Sequence, residues 1–268
     1  MSDSQGFQYG LVVRDLAKQF GGVQAVRGVS FSVQPGECVA LIGPNGAGKS
    51  TTFACIAGQH APSGGQVLWQ GKPLNALSAA QRLQRGIGRT FQVAQTFESL
   101  TVQQNVQLVL PGSNVLSPLQ MLDNQAPQAA LGLLARVGLQ EQAGLFAQQL
   151  PYGAKKRLEL AMALAGLDVE PGLLLLDEPA AGLAPSERAA LMQLVRSLTH
   201  DAAGQARLAV LYTEHNMDAV FGVAERVLVL MEGRLVASGT AYEVASNELV
   251  RTHYLGRAFR HAREAHRA

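Results

Sequence analysis

Gly43-Pro44-Asn45-Gly46-Ala47-Gly48-Lys49-Ser50-Thr51 fits the spacing G-x-x-x-x-G-K-[ST], a loop whose backbone N–H groups cradle a phosphate chain. The flanks supply the context that the motif needs. Cys38 to Ile42 is an apolar run that reads as a buried strand, and Thr51 to Ala57 reads as a helix stopped by Gly58. The glycines let the backbone curl toward a phosphate, and the helix dipole adds positive potential there. In this arrangement Lys49 can reach the β- and γ-phosphates, and the Ser50 hydroxyl can ligate a magnesium ion. The fold expected from the stretch is α/β, a phosphate-loop nucleotide-hydrolase core.

A second constellation narrows the chemistry. Leu173-Leu174-Leu175-Leu176-Asp177-Glu178 ends an apolar run in two carboxylates. At the C-terminal end of a buried parallel strand, such a carboxylate lies beside the phosphate loop. Asp177 can hold magnesium through water. Glu178 can orient and deprotonate an attacking water. A nucleoside triphosphate with Mg2+ is the substrate and cofactor pair this pattern implies.

The bulk composition excludes several classes. The chain has 268 residues, 47% of them hydrophobic and 16% charged, with a net charge of +2. That size supports one large core, or one core with a small subdomain. The near-neutral balance argues against a dedicated nucleic-acid binder. Cys38 and Cys55 show no metal spacing and read as small core residues of a reducing compartment. The polar start, Met1 to Gly10, lacks a signal pattern, and no apolar run approaches the ~20 residues that cross a bilayer. A cytoplasmic protein is expected, peripheral to a membrane only through a partner.

Along the chain, Leu11 to Phe20 and Ala25 to Val33 read as paired strands around the Gly21-Gly22 turn, and Gly65 to Gln70 as a further strand. Ser78 to Arg85 reads as a short helix. From Val93 to about Gln149 the chain is rich in Gln, Ala and Leu and shows no convincing strand. Thr101-Val102-Gln103-Gln104 has the form of a capping box, and Gln128 to Val137 is helical. A helical subdomain is therefore expected over residues 93–165, inserted in a single domain spanning 7–256, with 257–268 as a basic tail. Parallel α/β patterning returns with Gly172 to Asp177, Arg207 to Tyr212 and Arg226 to Met231 as strands and Pro185 to Thr199 as a helix. Glu232-Gly233 is a hairpin turn, and Thr240-Ala241-Tyr242-Glu243 is another capping box.

With these motifs in place, the chain resembles the ATP-binding-cassette ATPases. Leu150-Pro151-Tyr152-Gly153-Ala154 stands at the position of that family's signature motif, and Gln92 of Arg89-Thr90-Phe91-Gln92 at its Q-loop glutamine. Ala180 to Ala184 falls at the D-loop, and His215 of Tyr212-Thr213-Glu214-His215 at the switch histidine. Phe20 occupies the place of the aromatic residue that stacks on adenine. The resemblance implies a core with an antiparallel β subdomain and a helical subdomain. It also implies a head-to-tail dimer, in which the signature of one subunit caps the ATP held by the other's phosphate loop. Pro151, Tyr152 and Gly153 would then face the partner's γ-phosphate from a helix start. Gln92 would sense the magnesium and the attacking water, and His215 would contact the γ-phosphate.

Two motifs depart from the usual pattern. Leu-Ser-Gly-Gly-Gln is replaced by a segment with Pro151, Tyr152 and Ala154, and the D-loop ends in Ala184 rather than Asp or Asn. These departures imply a heterodimer with unequal sites. Within the superfamily the chain is similar to the first of the two ATPases of bacterial branched-chain amino-acid importers. Phe20 to Val26, Arg89 to Gln92, Leu100 to Val106, Tyr152-Gly153, Glu214 to Met217 and Tyr254-Leu255-Gly256 carry that likeness. A Tyr-Gly signature is typical there. The implied partners are two membrane permease subunits, a second, non-identical ATPase and, indirectly, an extracytoplasmic substrate-binding protein, with no nucleic acid. Val93 to Phe97 would line the groove that receives a permease helix. Relatives also import urea, amides or aromatic acids, and a lipid exporter or a non-transport ATPase is the competing expectation. Arg257, Arg260, Arg263 and Arg267 recur at helical spacing in the tail, which reads as a solvated terminus, or as a contact with anionic lipid headgroups or with the partner subunit.

Overall fold

The structure, a computed structural model, describes residues 9–90, 95–111, 126–167 and 169–256. Strands β1 (Leu11–Phe20) and β2 (Val23–Val33) pair antiparallel across a two-residue Gly21-Gly22 turn, so β2 begins two residues earlier than its apolar pattern suggests. Strand β3 (Cys38–Ile42) follows and delivers the glycine-rich loop to helix α1 (Lys49–Ala57). Gly48 is left-handed, so the helix starts at Lys49 rather than Thr51, and the lysine and Ser50 of the motif occupy its first turn. Gly58 ends it in a left-handed cap, as expected.

Strands β4 (Gly64–Trp69) and β5 (Lys72–Pro73) complete a four-stranded antiparallel sheet of order β2-β1-β4-β5. Helix α2 (Ala79–Leu83) opens on a Ser78–Gln81 capping box and leads to β6 (Ile87–Arg89). Three residues with a central glycine carry no strand signal of their own. β6 forms because β7 (Gly172–Asp177) offers it a parallel edge.

Helices α3 (Val102–Val109), α4 (Pro127–Arg136) and α5 (Tyr152–Ala165) follow, with 3₁₀ turns at Gln140–Gln142 and Ala147–Gln149. The described residues of 95–149 hold no strand beyond an isolated Thr101–Phe146 bridge. Thr101 and Gln104 bond each other's backbone N–H in a reciprocal cap. After β7 come α6 (Pro185–Ser197), β8 (Leu208–Thr213), α7 (Met217–Phe221), β9 (Arg226–Met231) and β10 (Arg234–Gly239). The described chain ends in α8 (Ala241–Ser246), α9 (Glu248–Val250) and a π-helical turn at Arg251–Leu255.

The second sheet runs β10-β9-β3-β8-β7-β6, parallel except for the β9–β10 hairpin. Its central strands are apolar throughout because both faces are covered. Alternation sorts them. Val39, Leu41, Leu173, Leu175, Ala209, Leu211, Leu228 and Leu230 pack with α1 and the antiparallel sheet. Cys38, Ala40, Ile42, Leu174, Leu176, Val210, Tyr212, Val227 and Val229 pack with α3, α4, α5 and α6 on the other side. Two apolar layers thus clamp one sheet, and the C-terminal ends of β3, β7 and β8 open on one edge. Gln92 and the basic tail with Arg257, Arg260, Arg263 and Arg267 lie outside the described residues.

Candidate functional site

The loop after β3 is shaped by close backbone approach. A Cβ on Gly43, at φ +148°, would stand 2.0 Å from the Leu230 carbonyl oxygen, and one on Gly48, at φ +98°, would stand 2.5 Å from that of Ala25. Only glycine fits either position. Pro44 accepts a hydrogen bond from Ala47 N–H at 3.2 Å, and Ala47 accepts one from Gly233 N–H at 3.1 Å, so the β9–β10 turn buttresses the loop. Asn45 and Gly46 stay exposed at its tip, while Ser50 and the half-buried Thr51 sit on the first turn of α1. That helix start has neither a side-chain cap nor an acidic residue in its first turn. An anion is therefore the natural partner for its N–H groups.

Lys49 is buried, and its Nζ donates to the carbonyls of Gly43 at 2.6 Å and Pro44 at 3.1 Å. Burial lowers its pKa, while the negative charges of Glu178 and Asp177 act in the opposite sense. The ammonium and the two carboxylates thus share one electrostatic neighbourhood although 128 residues separate Lys49 from Asp177 in the chain.

Strand order explains how they meet. β8 lies between β3 and β7, and its last residue, Thr213, joins the parts. The Thr213 hydroxyl donates to Asp177 Oδ1 at 2.8 Å and accepts from Glu178 N–H at 3.1 Å. Arg89 donates to Asp177 Oδ2 at 3.1 Å. Glu178 adopts φ 48°, a left-handed conformation uncommon for a residue with a side chain. Its Oε1 lies 2.8 Å from His215 Nε2. A carboxylate so paired can hold a water and take its proton, with the imidazole fixing its orientation.

Glu214 is buried beside this pair. Its Oε1 accepts from Ala180 N–H at 2.9 Å and its Oε2 from His215 N–H at 3.2 Å. Burial raises its pKa, offset in part by backbone N–H bonds from Ala180, His215 and Asn216. It ties the segment after Glu178 to the loop that presents His215.

The other expected positions are placed as follows. Phe20 ends β1 half exposed, edge-on to His60 at 5.2 Å between ring centroids, with Lys18 Nζ 4.9 Å above its face. Pro151 precedes α5, and Tyr152 and Gly153 form its first residues. A Cβ on Gly153 would lie 3.0 Å from Glu187 Oε1, and one on Gly182 would lie 3.2 Å from the Tyr152 ring, so this helix start packs on the segment Gly182–Glu187 of the same chain. Lys49, Asp177, Glu178 and His215 come together, whereas Gln92 lies outside the described residues. Thr213, Glu214 and Arg89 are site residues that the motifs alone do not single out. A polar triplet closing the apolar run of β8 was the available signal for the first two.

Residues 26–181 match the family model described as ABC transporter, more than half of the chain. The chain belongs to the ABC transporter ATPase family. As an ABC ATPase it binds ATP and hydrolyses it in step with transport. The chain is 35% identical over 257 residues to the high-affinity branched-chain amino acid transport ATP-binding protein LivG of Escherichia coli K12, covering 92% of this chain and 98% of LivG. It is 34% identical over 250 residues to the lipopolysaccharide export system ATP-binding protein LptB of the same organism, covering 93% of this chain and 98% of LptB. The solved ADP conformation of an ATP-binding cassette of an ABC transporter superposes with a TM-score of 0.78 at 29% identity, covering 92% of this chain and 99% of that one. The ABC ATPase fold accounts for both sheets and the helical layer. No helix among the described residues is long and apolar enough to cross a membrane.

Proposed function

We propose that this ABC ATPase drives a bacterial importer of branched-chain or related amino acids. The observation that carries the chemistry is the 2.8 Å Glu178–His215 pair, set at the strand ends beside Lys49. The observation that favours the cargo class is the 35% identity to LivG over 92% of the chain. The 34% identity to LptB supports a second reading, export of a lipid, by a nearly equal margin.

In this reading, residues Gly43 to Thr51 hold the phosphates, with Lys49 neutralising the β- and γ-groups, and Phe20 stacks on adenine. Glu178 orients and deprotonates the attacking water, His215 holds Glu178 and reaches the γ-phosphate, and Gln92 completes the water site. The Ser50 hydroxyl and the Asp177 carboxylate are hard oxygen donors of the kind magnesium takes. Bound with the nucleotide, Mg2+ would neutralise phosphate charge. Pro151, Tyr152 and Gly153, carried on the helical subdomain of residues 93–165, cap the ATP of a second cassette. Tyr152, nearly half exposed, is available for that contact. The groove of about 530 Å³ lined by Leu83, Gly88, Arg89, Phe97, Glu159 and Met162 receives a permease helix. The working location is the inner face of the membrane, against two permeases. The departures at Pro151, Tyr152 and Ala184 favour a non-identical partner cassette, and an extracytoplasmic binding protein delivers the cargo.

Affinity capture of the chain from its host in mild detergent, with mass spectrometry of the co-purified proteins, tests this reading. Two polytopic membrane proteins and a second cassette support import. Membrane partners of a lipid-extraction system favour the second reading, and recovery of the chain alone overturns both. Glu178→Gln should lower ATP turnover by roughly 10²–10⁴-fold while ATP is still bound. Near-wild-type turnover in that variant would remove Glu178 from the chemistry. Equal hydrolysis at both composite sites, measured with the substitution in one subunit at a time, would exclude unequal sites.

A further inference from the structure

Arg89 stands where three parts of the molecule meet. It is the last residue of edge strand β6. One terminal nitrogen bonds Asp177 Oδ2 at 3.1 Å. The other donates to the side-chain oxygen of Gln59, two residues past the end of α1. The same residue also lines the groove shared with Phe97, Glu159 and Met162. Arg89 and Asp177 side chains are each 14% exposed, so solvent screens their charges weakly.

The two partners of Asp177 differ in kind. Thr213 holds Oδ1 with a neutral hydroxyl, which fixes the direction of the carboxylate without altering its charge. Arg89 holds Oδ2 with a full positive charge. A guanidinium and a divalent cation on one carboxylate repel each other, so each weakens the hold of the other. Orientation alone is already provided by Thr213. The added charge therefore has a different consequence, which is competition for the carboxylate. The groove also holds the carboxylate of Glu159, which is already paired with Lys156 at 3.7 Å.

We propose that Arg89 is a positioning residue that serves as an internal counter-ion for Asp177 and competes with Mg2+ for it. Metal loading then requires the guanidinium to leave the carboxylate. Because Arg89 is part of the groove wall, whatever occupies the groove biases that exchange. This inference rests on the reading of Asp177 as a magnesium ligand, and it adds a link from the groove to the metal that does not pass through Gln92.

The test is a Mn2+ binding isotherm, read by electron paramagnetic resonance, on the full chain loaded with a non-hydrolysable ATP analogue. Arg89→Gln should bind Mn2+ roughly tenfold more tightly than the wild type, because a unit charge beside the ion is removed. Arg89→Lys, which keeps the charge, should stay close to wild type. Thr213→Val, which removes only an orienting bond, should bind Mn2+ more weakly. Unchanged or weaker binding in Arg89→Gln, moving with Thr213→Val, overturns the proposal. Side-chain ¹⁵N spectra of the arginines in the wild-type chain provide a readout that needs no variant. The Arg89 signals should change on adding Mg2+ to the nucleotide-loaded protein, and unaltered signals overturn the proposal. Absence of Mn2+ binding in the wild type itself would overturn the assignment of Asp177 to the metal, a separate outcome.

Discussion

Thr213 uses both halves of one hydroxyl, donating to Asp177 and accepting from the Glu178 backbone, so the carboxylate that ends β7 and the main chain of the residue after it are held by one residue of β8. The polar close of β8 hints at such a residue, but its role is not legible in the sequence, because its partners are 36 and 35 positions away. Arg89 is silent for the same reason, with its ion-pair partner 88 positions off. Gly43 to Thr51 could be read directly because the residues that define the loop stand at fixed spacing within nine consecutive positions. Cys38 illustrates a residue-scale effect with a measurable pH dependence. Its thiol is fully buried, and burial, reinforced by Glu225, pushes its pKa from 9.0 up to about 12. The unfolded chain ionises this thiol near pH 9 and the folded chain does not. The stability it confers is therefore whole below pH 9 and is lost as pH rises from 9 toward 12, by about 1.4 kcal/mol per unit. Between pH 8 and 10.5 in urea melts, Cys38→Ala should lose about 2 kcal/mol less than the wild type. Parallel losses in the two proteins would contradict the assignment.

At the scale of elements, the phosphate-loop helix is fastened at its far end. Arg82 of α2 is 1% exposed, and its guanidinium donates to the carbonyls of Cys55 and Ile56 at 2.6 Å each and of Leu74 at 2.7 Å, while its Nε donates to that of Leu77 at 3.1 Å. Two of those carbonyls belong to the last turns of α1, where a helix leaves acceptors unpaired and its dipole favours a cation. Arg82→Met leaves several buried acceptors without donors and should lower stability by roughly 3–5 kcal/mol. Arg82→Lys should restore less than half of that, because an ammonium lacks the planar fork. Chemical denaturation of the three proteins measures both quantities. Thr101→Ala, which removes the cap of α3, should cost about 1 kcal/mol in the same experiment. The Thr101 cap was legible because its partners lie three residues apart. The short strand β6 was not, since three residues become a strand only when β7 is beside them.

At the scale of the whole molecule, the two-layer arrangement was readable from period and composition. Runs such as Leu173 to Leu176 show no alternation in polarity, which marks strands covered on both faces. Their alternation appears only in which layer each side chain joins. The order of strands could not be read that way, because every central strand has the same apolar character. That order makes a prediction about cutting the chain. A fragment ending at Arg207 retains the full loop, Lys49 and Glu178, yet it lacks both neighbours of β3. It should show no saturable ATP binding in equilibrium dialysis. Retained affinity would mean that β3 is held by the antiparallel sheet alone.

The position of β3 between β8 and β9 also bears on how the molecule is made. On a ribosome the loop emerges early, and the strands that grip its base are synthesised roughly 170 residues later, a wait of roughly 10–30 s. Through that interval the nascent chain exposes an apolar segment with two unpaired edges. Helices α3 to α5, whose contacts are local, can assemble in the meantime. A nucleotide therefore finds no place to bind on the growing polypeptide until β8 and β9 have been made.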